Sequence, residues 1–327
     1  MEITPVPTVN LFDVLSESRR ILKANYTHFV ALSLFFLPLA FSLVTTPALH
    51  HHHSGNFFTG DIFRKLLTNH PKVVIFHLLY ILIIYLLAVC AIGTISYSTY
   101  HVFIGKPVNY FDSLKSLTFS FFPLISTAIV AQVVLFAISI VLVMFTVKIH
   151  VLAETLGFAI DYNSIYFMWF SIFVGATCIA VIIYVHMNWC LASMVVVAES
   201  ISGGKALRRS WYLVKGMRSI SLSLSLYFLI GNGLLALISS KTVKFRALNS
   251  DTHGVVLFTI LGSFFLMMCF LASTAANTVL YMYCKAFHGE LGLKIAVGFD
   301  YVNLPSDDKK VPHVDEKVSH VVTVVET

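Results

Sequence analysis

Charge is scarce in this chain. Only 12% of its 327 residues are Asp, Glu, Lys or Arg, while 57% are hydrophobic. Soluble domains carry about 25% charged residues, so an ordinary soluble domain is excluded. The net charge of +6 invites a nucleic-acid reading, but in so apolar a chain basic residues are expected to follow the positive-inside rule or meet anionic lipid. Nucleic acid is therefore not an expected partner. The five cysteines, Cys90, Cys178, Cys190, Cys269 and Cys284, lie within or beside apolar runs and form no C-x-x-C pair. Buried free thiols are expected, rather than disulfides or a metal site.

The signatures of catalysis are missing too. There is no H-E-x-x-H, no G-x-S-x-G, no glycine loop to cradle phosphate, and no Asp, Glu, Lys or Arg at mid-depth of an apolar run. The expectation is a non-enzymatic protein without a cofactor. His50–His53 suggest a metal at first sight, but four consecutive imidazoles on one loop lack fixed geometry and acidic companions. They read as a soluble loop at the end of a span, with no metal. A cleavable signal peptide pattern is absent, because the first apolar run starts near Phe29 and is too long for an h-region. That run is expected to remain as an anchor.

Long apolar runs are what the chain has in plenty. Six of 18 residues or more occupy roughly 29–49, 73–97, 121–147, 167–197, 220–240 and 255–283. Each is long enough for a helix across about 30 Å of hydrocarbon. The third and fourth exceed that need, so tilt or extension beyond the bilayer is expected. The fifth is diluted by Ser219, Ser221, Ser223 and Ser225, whose hydroxyls can bond back to their own helix. Pro38 and Pro123 are the kink candidates. The fold class is all-α: a polytopic integral membrane protein with a cytosolic amphipathic segment over 1–28, a six-helix domain over 29–294 and a cytosolic tail over 295–327. The tail mixes charge with valine and lacks helical periodicity, so it is expected to be disordered.

Orientation follows from the basic residues. Fifteen of the 22 Lys and Arg fall on the side of the termini and the second and fourth loops, which predicts both termini in the cytosol. The compartment is the ER or another endomembrane, or the plasma membrane. Asn25-Tyr26-Thr27 is a glycosylation sequon that this orientation leaves unused.

An internal repeat is also legible. Leu15, Ser18 and Leu32–Leu37 align with Leu207, Ser210 and Leu224–Leu229, and Asn10–Leu15 aligns with Asn109–Leu114. Three units, each a short amphipathic segment, a span, an outer loop and a second span, give six spans in parallel arrangement.

The third unit begins with KALRRSWYLVKGMR, Lys205 to Arg218. On a helix, Ala206, Leu207, Ser210, Trp211, Leu213, Val214 and Met217 share one face, with Lys205, Arg208, Arg209, Tyr212 and Lys215 opposite and Arg218 at the margin. In the first unit Leu11, Val14, Leu15, Ser18 and Leu22 oppose Glu17 and Arg20. Both segments are predicted to be interfacial amphipathic helices, with Lys205, Arg208, Arg209, Lys215, Arg218, Arg19, Arg20 and Lys23 meeting lipid headgroups. Gly203-Gly204 is predicted to give a flexible exit from the fourth span. Ala206, Ser210, Lys215 and Gly216, following a span that ends VVVAES, carry a resemblance. The segment resembles that of the glycerophosphoryl-diester-phosphodiesterase membrane-domain-like and bacterial YciC-like six-helix proteins, and plant six-span proteins of that type. The resemblance implies membrane residence; the catalytic barrel that some members append has no stretch here long enough to hold it.

Polar residues within the spans are His77, Gln132, His186, Asn188, Asn232 and Asn277. They read as interhelical hydrogen bonds, worth about 0.6 kcal/mol each, with a polar path past His186 and Asn188 as the other reading. Glu199, ending the fourth span, is expected to pair with a local Lys or Arg. The function expected is organisation of, or contact with, membrane lipids, anionic ones among them, or partner membrane proteins. A channel or carrier for a small or amphiphilic solute is the alternative.

Overall fold

The computed structural model describes residues 9–49, 71–155, 165–249 and 251–290; His50–His53 and the 295–327 tail lie outside the described residues. Within them the chain is helical, with no strand. Helix α1 is Leu11–Ala24, α2 is Tyr26–Ser33, and a 3₁₀ turn at Leu34–Phe36 leads into α3, Leu37–Leu49. Then come α4 (Pro71–Phe103), α5 (Tyr110–Thr155), α6 (Ile165–Trp189), α7 (Ala192–Glu199), α8 (Gly204–Val214), α9 (Arg218–Leu248) and α10 (Thr252–Phe287). Among the described residues, six helical stretches are long and apolar enough to cross a membrane: Tyr26–Thr46, Ile75–Phe103, Tyr110–Ile149, Met168–Glu199, Arg218–Leu248 and Thr252–Phe287. Their lengths and composition are those of an integral membrane protein.

Local chemistry explains the departures from six plain rods. Pro38 has no N–H to give the Leu34 carbonyl, and its ring crowds that carbonyl, so the first span tightens into the 3₁₀ turn at Leu34–Phe36. Pro123 sits inside α5 without ending it. The segment expected before the third span is continuous with that span, making α5 a helix of 46 residues, about 69 Å long at 1.5 Å per residue. In the first unit Asn25 interrupts the helix, and in the third Lys215–Met217 do so; no such stop lies between Tyr110 and Pro123.

The fourth apolar run forms the span Met168–Glu199, close to the expected 167–197, but the helix is interrupted within it. The chain leaves the helix at Cys190 and Leu191. Carbonyls released at the end of α6 would be costly within a membrane unless paired. The Met187 carbonyl accepts from Cys190 Sγ at 3.1 Å and from Ser221 Oγ at 3.0 Å, and the Asn188 carbonyl accepts from Ser210 Oγ at 2.7 Å. Ser221 therefore bonds across to α6 instead of back to its own helix.

The core is centred on the second half of α10, which packs against α1, α2, α3, α4, α7, α8 and α9. Leu271, Ala275, Ala276, Val279, Leu280, Tyr281 and Cys284 are all buried there. By contrast, α5 and α6 display Phe136, Val141, Phe145, Trp169 and Phe173 outward, the surface a lipid-facing hairpin requires. All five cysteines are free.

Candidate lipid-contact surface

Helix α8 carries most of the basic stretch, and its sidedness is sharp. Ala206, Leu207, Ser210, Leu213 and Val214 are buried, while Lys205, Arg208 and Lys215 are exposed. Trp211, predicted on the packed face, is 49% exposed instead. It lies at the edge of the buried arc, which Ser210 and Val214 close. The exit before α8 is not loose. Gly203 is buried at φ +66°, where a side chain is strained, and its N–H donates to Thr127 Oγ1 at 2.8 Å. Gly216 closes the far end at φ +115°, and a Cβ there would come within 2.5 Å of the Phe287 ring.

Arg209 departs from its predicted role as a headgroup contact. Its Nε donates to Glu199 Oε2 at 3.0 Å and its Nη2 to Glu199 Oε1 at 3.3 Å. Its Nη1 donates to Glu290 Oε1 at 3.1 Å, and its Nη2 also donates to Glu290 Oε2. These bonds from Glu290 and then Glu199 raise the guanidinium pKa further above its ordinary value. Glu199 accepts as well from the Tyr281 hydroxyl at 2.9 Å and stands 3.5 Å from Lys285 Nζ, so it does pair with local cations. Tyr212 stacks on His288 at 4.9 Å, and the His288 ring nitrogen meets the Leu213 carbonyl at 3.2 Å. Arg209 is thus spent fastening α8 to the ends of α7 and α10.

The basic residues of α1 have a different setting. Val14, Ser18 and Ile21 are buried against the bundle, and α1 packs chiefly on α10. Asp13 Oδ2 accepts from the Asn10 N–H at 2.7 Å, fixing the start of the helix. Beside α1 opens a crevice of about 810 Å³. Arg19, Arg20 and Lys23 stand among its residues, with Phe29, Tyr227, Phe228, Met268 and Leu271 forming apolar walls from α2, α9 and α10. Arg20 pairs with Glu17 at 2.6 Å and is 78% exposed. Arg19 and Lys23 are exposed and have no ion-pair partner among the described residues. Cations above an apolar slot suit an anionic headgroup whose tail enters the slot.

The predicted polar residues of the spans do not converge. His77 and Gln132 are exposed, and Gln132 of α5 hydrogen-bonds the Tyr85 side chain of α4, an interhelical contact of the kind expected. Asn188 is buried and donates from Nδ2 to the Tyr184 carbonyl at 2.7 Å, its Oδ1 unpartnered among the described residues. Asn232 Oδ1 and Arg218 Nε are likewise buried without a partner among them. Asn277 is half-buried on α10. His186 lines a cavity of about 380 Å³ that the other five do not line.

Sequence reading found the cations but not the crevice. Its walls come from α1, α2, α9 and α10, which only folding brings together. Tyr227-Phe228, aligned with Phe35-Phe36 in the repeat, was the one available signal. Glu290 was missed as the partner of Arg209 because the two are 81 positions apart. The sequence pattern of a family described as a domain of unknown function, DUF8558, matches residues 4–296. No curated protein and no solved structure matches the chain.

Proposed function

Since this chain belongs to the DUF8558 family, a domain of unknown function, we propose from its geometry that it is a non-enzymatic membrane protein which binds and organises lipids of the cytosolic leaflet. The observation that carries this is the crevice beside α1, lined by Arg19, Arg20 and Lys23 together with Phe29, Tyr227, Phe228, Met268 and Leu271. A basic residue near an anionic membrane surface contributes about 1 kcal/mol. Arg19 and Lys23 together give about 2 kcal/mol, a preference of roughly thirtyfold for an anionic over a neutral headgroup. Arg20 adds less because Glu17 neutralises it.

On this reading α1 and α8 are interfacial helices on the cytosolic side, with both termini in the cytosol. Lys205, Arg208 and Lys215 extend the cationic surface, and the exposed Trp211 sits at headgroup depth. The threefold repeat supplies the plan. Val14, Ser113 and Ala206, equivalent in the alignment, are each 0% exposed, which supports that reading for this position; at the next position Leu207 is buried, Leu15 half-buried and Leu114 41% exposed. Partner membrane proteins would meet the same surface.

The test is purification in native nanodiscs followed by lipid mass spectrometry. The wild type should carry an excess of anionic over zwitterionic phospholipid relative to the source membrane, and Arg19→Glu with Lys23→Glu should abolish it. An identical lipid profile in the two proteins would refute the proposal. A glycan on Asn25 would overturn the orientation.

A further inference from the structure

The cavity lined by His186 is separate from the crevice and has a different chemistry. It lies between spans, walled by α4, α5, α6, α7 and α9, with Leu207 of α8 at one end. No Asp, Glu, Lys or Arg is among its lining residues. Most of the wall is hydrocarbon, from residues such as Leu124, Ala131 and Leu226. Four polar side chains interrupt it: His186, Trp189, Ser193 and Ser225. None has a hydrogen-bond partner among the described residues. The fifth polar residue, Thr127, is already satisfied, donating to the Pro123 carbonyl and accepting from the Gly203 N–H, both at 2.8 Å.

That combination is uncommon within a membrane, where water is not at hand to pair a stray donor or acceptor. Serine hydroxyls in spans ordinarily return to their own helix, as Ser139 does to Leu135 at 2.9 Å. Ser193 and Ser225 do not; the buried Ser263 hydroxyl is also unpartnered among the described residues, but it does not line this cavity. Trp189 and Ser193, which flank the helix break at Cys190–Leu191, both line the cavity. Together the groups offer an indole N–H donor, two hydroxyls of either sense and an imidazole with one donor and one acceptor when neutral.

We infer that this cavity binds one molecule of an uncharged lipid alcohol of single-chain size, its hydroxyl held by His186, Ser193 and Ser225 and its chain lying against the apolar wall. A hydroxyl both donates and accepts, which matches a lining of mixed sense. A carboxylate or phosphate would find no cation among the lining residues and would be costly at this depth. The volume of about 380 Å³ is in the lower part of the usual range of about 300–1,000 Å³ for small-molecule sites, which fits one slim chain and not a two-chain phospholipid. The inference stands independently of the α1 crevice.

A hexadecanol bearing a diazirine and an alkyne tests it, with the full chain in phosphatidylcholine nanodiscs and the labelled peptides mapped by mass spectrometry. Saturable labelling is expected on peptides containing Ile182–Ser193 and Ser225–Leu229. Excess hexadecanol should displace the probe, whereas hexadecanoate and hexadecane should not. Ala131→Phe, which fills the cavity, should reduce saturable labelling about tenfold. The triple variant His186→Leu, Ser193→Ala, Ser225→Ala adds no bulk and should do the same; it decides the matter if Ala131→Phe fails to fold. Arg19→Glu with Lys23→Glu should leave labelling intact, which separates this site from the crevice. Non-saturable labelling spread over outward residues such as Phe136 and Val141 would overturn the inference. So would labelling undiminished by the triple variant, or equal displacement by hexadecane or hexadecanoate.

Discussion

Replacing Arg209 with Met removes a cation while keeping a side chain of similar reach, and the structure sets the size of the effect. Arg209 donates to both oxygens of Glu199 and to both oxygens of Glu290. The Glu199 side chain is only 13% exposed and that of Arg209 24%. Stripping one partner from a fully buried ion pair costs about 3–5 kcal/mol, because the other charge is left stranded. Here the cost is smaller. Lys285 Nζ remains 3.5 Å from Glu199 Oε1, and Glu290 is 31% exposed, so water reaches it. About 2–3 kcal/mol of lost stability is expected, which at about 2–4 °C per kcal/mol for a domain of this size is a fall of roughly 4–12 °C in Tm. Thermal unfolding of the nanodisc-embedded protein measures it. Adding Glu199→Gln to Arg209→Met should cost clearly less than the two singles summed, with a coupling of about 1–2 kcal/mol. Arg209→Met within 1 °C of wild type, or strict additivity, would show that the guanidinium is not the fastening between α7, α8 and α10.

Other expectations follow from the same geometry. Changing Lys205, Arg208 and Lys215 to Glu should lower bound anionic lipid without moving Tm by more than about 2 °C, since exposed charges contribute little to stability; the opposite pattern would transfer these residues to the architectural role of Arg209. Gly216→Ala should cost about 1–3 kcal/mol by thermal unfolding, from its φ of +115° and the Phe287 ring beside it, and a neutral result would contradict the described closure of α8. Asp251 accepts from the Gly254 N–H at 2.9 Å and then from Arg246, also at 2.9 Å, which holds its carboxyl below the ordinary value of 3.8. Its stabilisation is therefore complete above that value and lost as pH falls below it. Asp251→Asn keeps the cap but cannot titrate, so Tm should fall more steeply with acid in the wild type; parallel curves would rule out this contribution. Thiol reagents should fail to reach cysteines substituted for Asn188, whose side chain is 3% exposed, and ready labelling there would revive a water-filled path.

The spans were legible because twenty consecutive apolar residues have few other uses. Their ends were harder to read. Counting apolar residues stops at Lys241, yet α9 runs on through Lys244 and Arg246 to Leu248, with Arg246 anchored on Asp251. The interruption at Cys190–Leu191 carries no proline or glycine, and its support comes from Ser210 and Ser221 on other helices. A 3.6-residue period was enough to pick out the buried arc of α8, from Ala206 to Val214. It could not separate Arg209 from Arg208. Both lie on the polar side, and only Arg209 meets carboxylates brought in from residues 199 and 290. The four residues carrying the family resemblance have now divided in the same way. Ala206 is fully buried, Ser210 serves a broken helix and Gly216 needs a positive φ; Lys215 is the one left as an exposed cation.

Native mass spectrometry of the delipidated protein titrated separately with phosphatidylserine and phosphatidylcholine tests lipid binding at the α1 crevice most directly. The wild type should retain phosphatidylserine over phosphatidylcholine by tenfold or more, about 1.4 kcal/mol. Arg19→Glu with Lys23→Glu should erase the difference, and Arg209→Met should preserve it. Equal retention of the two lipids by the wild type, or a preference that survives reversal of Arg19 and Lys23, would contradict the account.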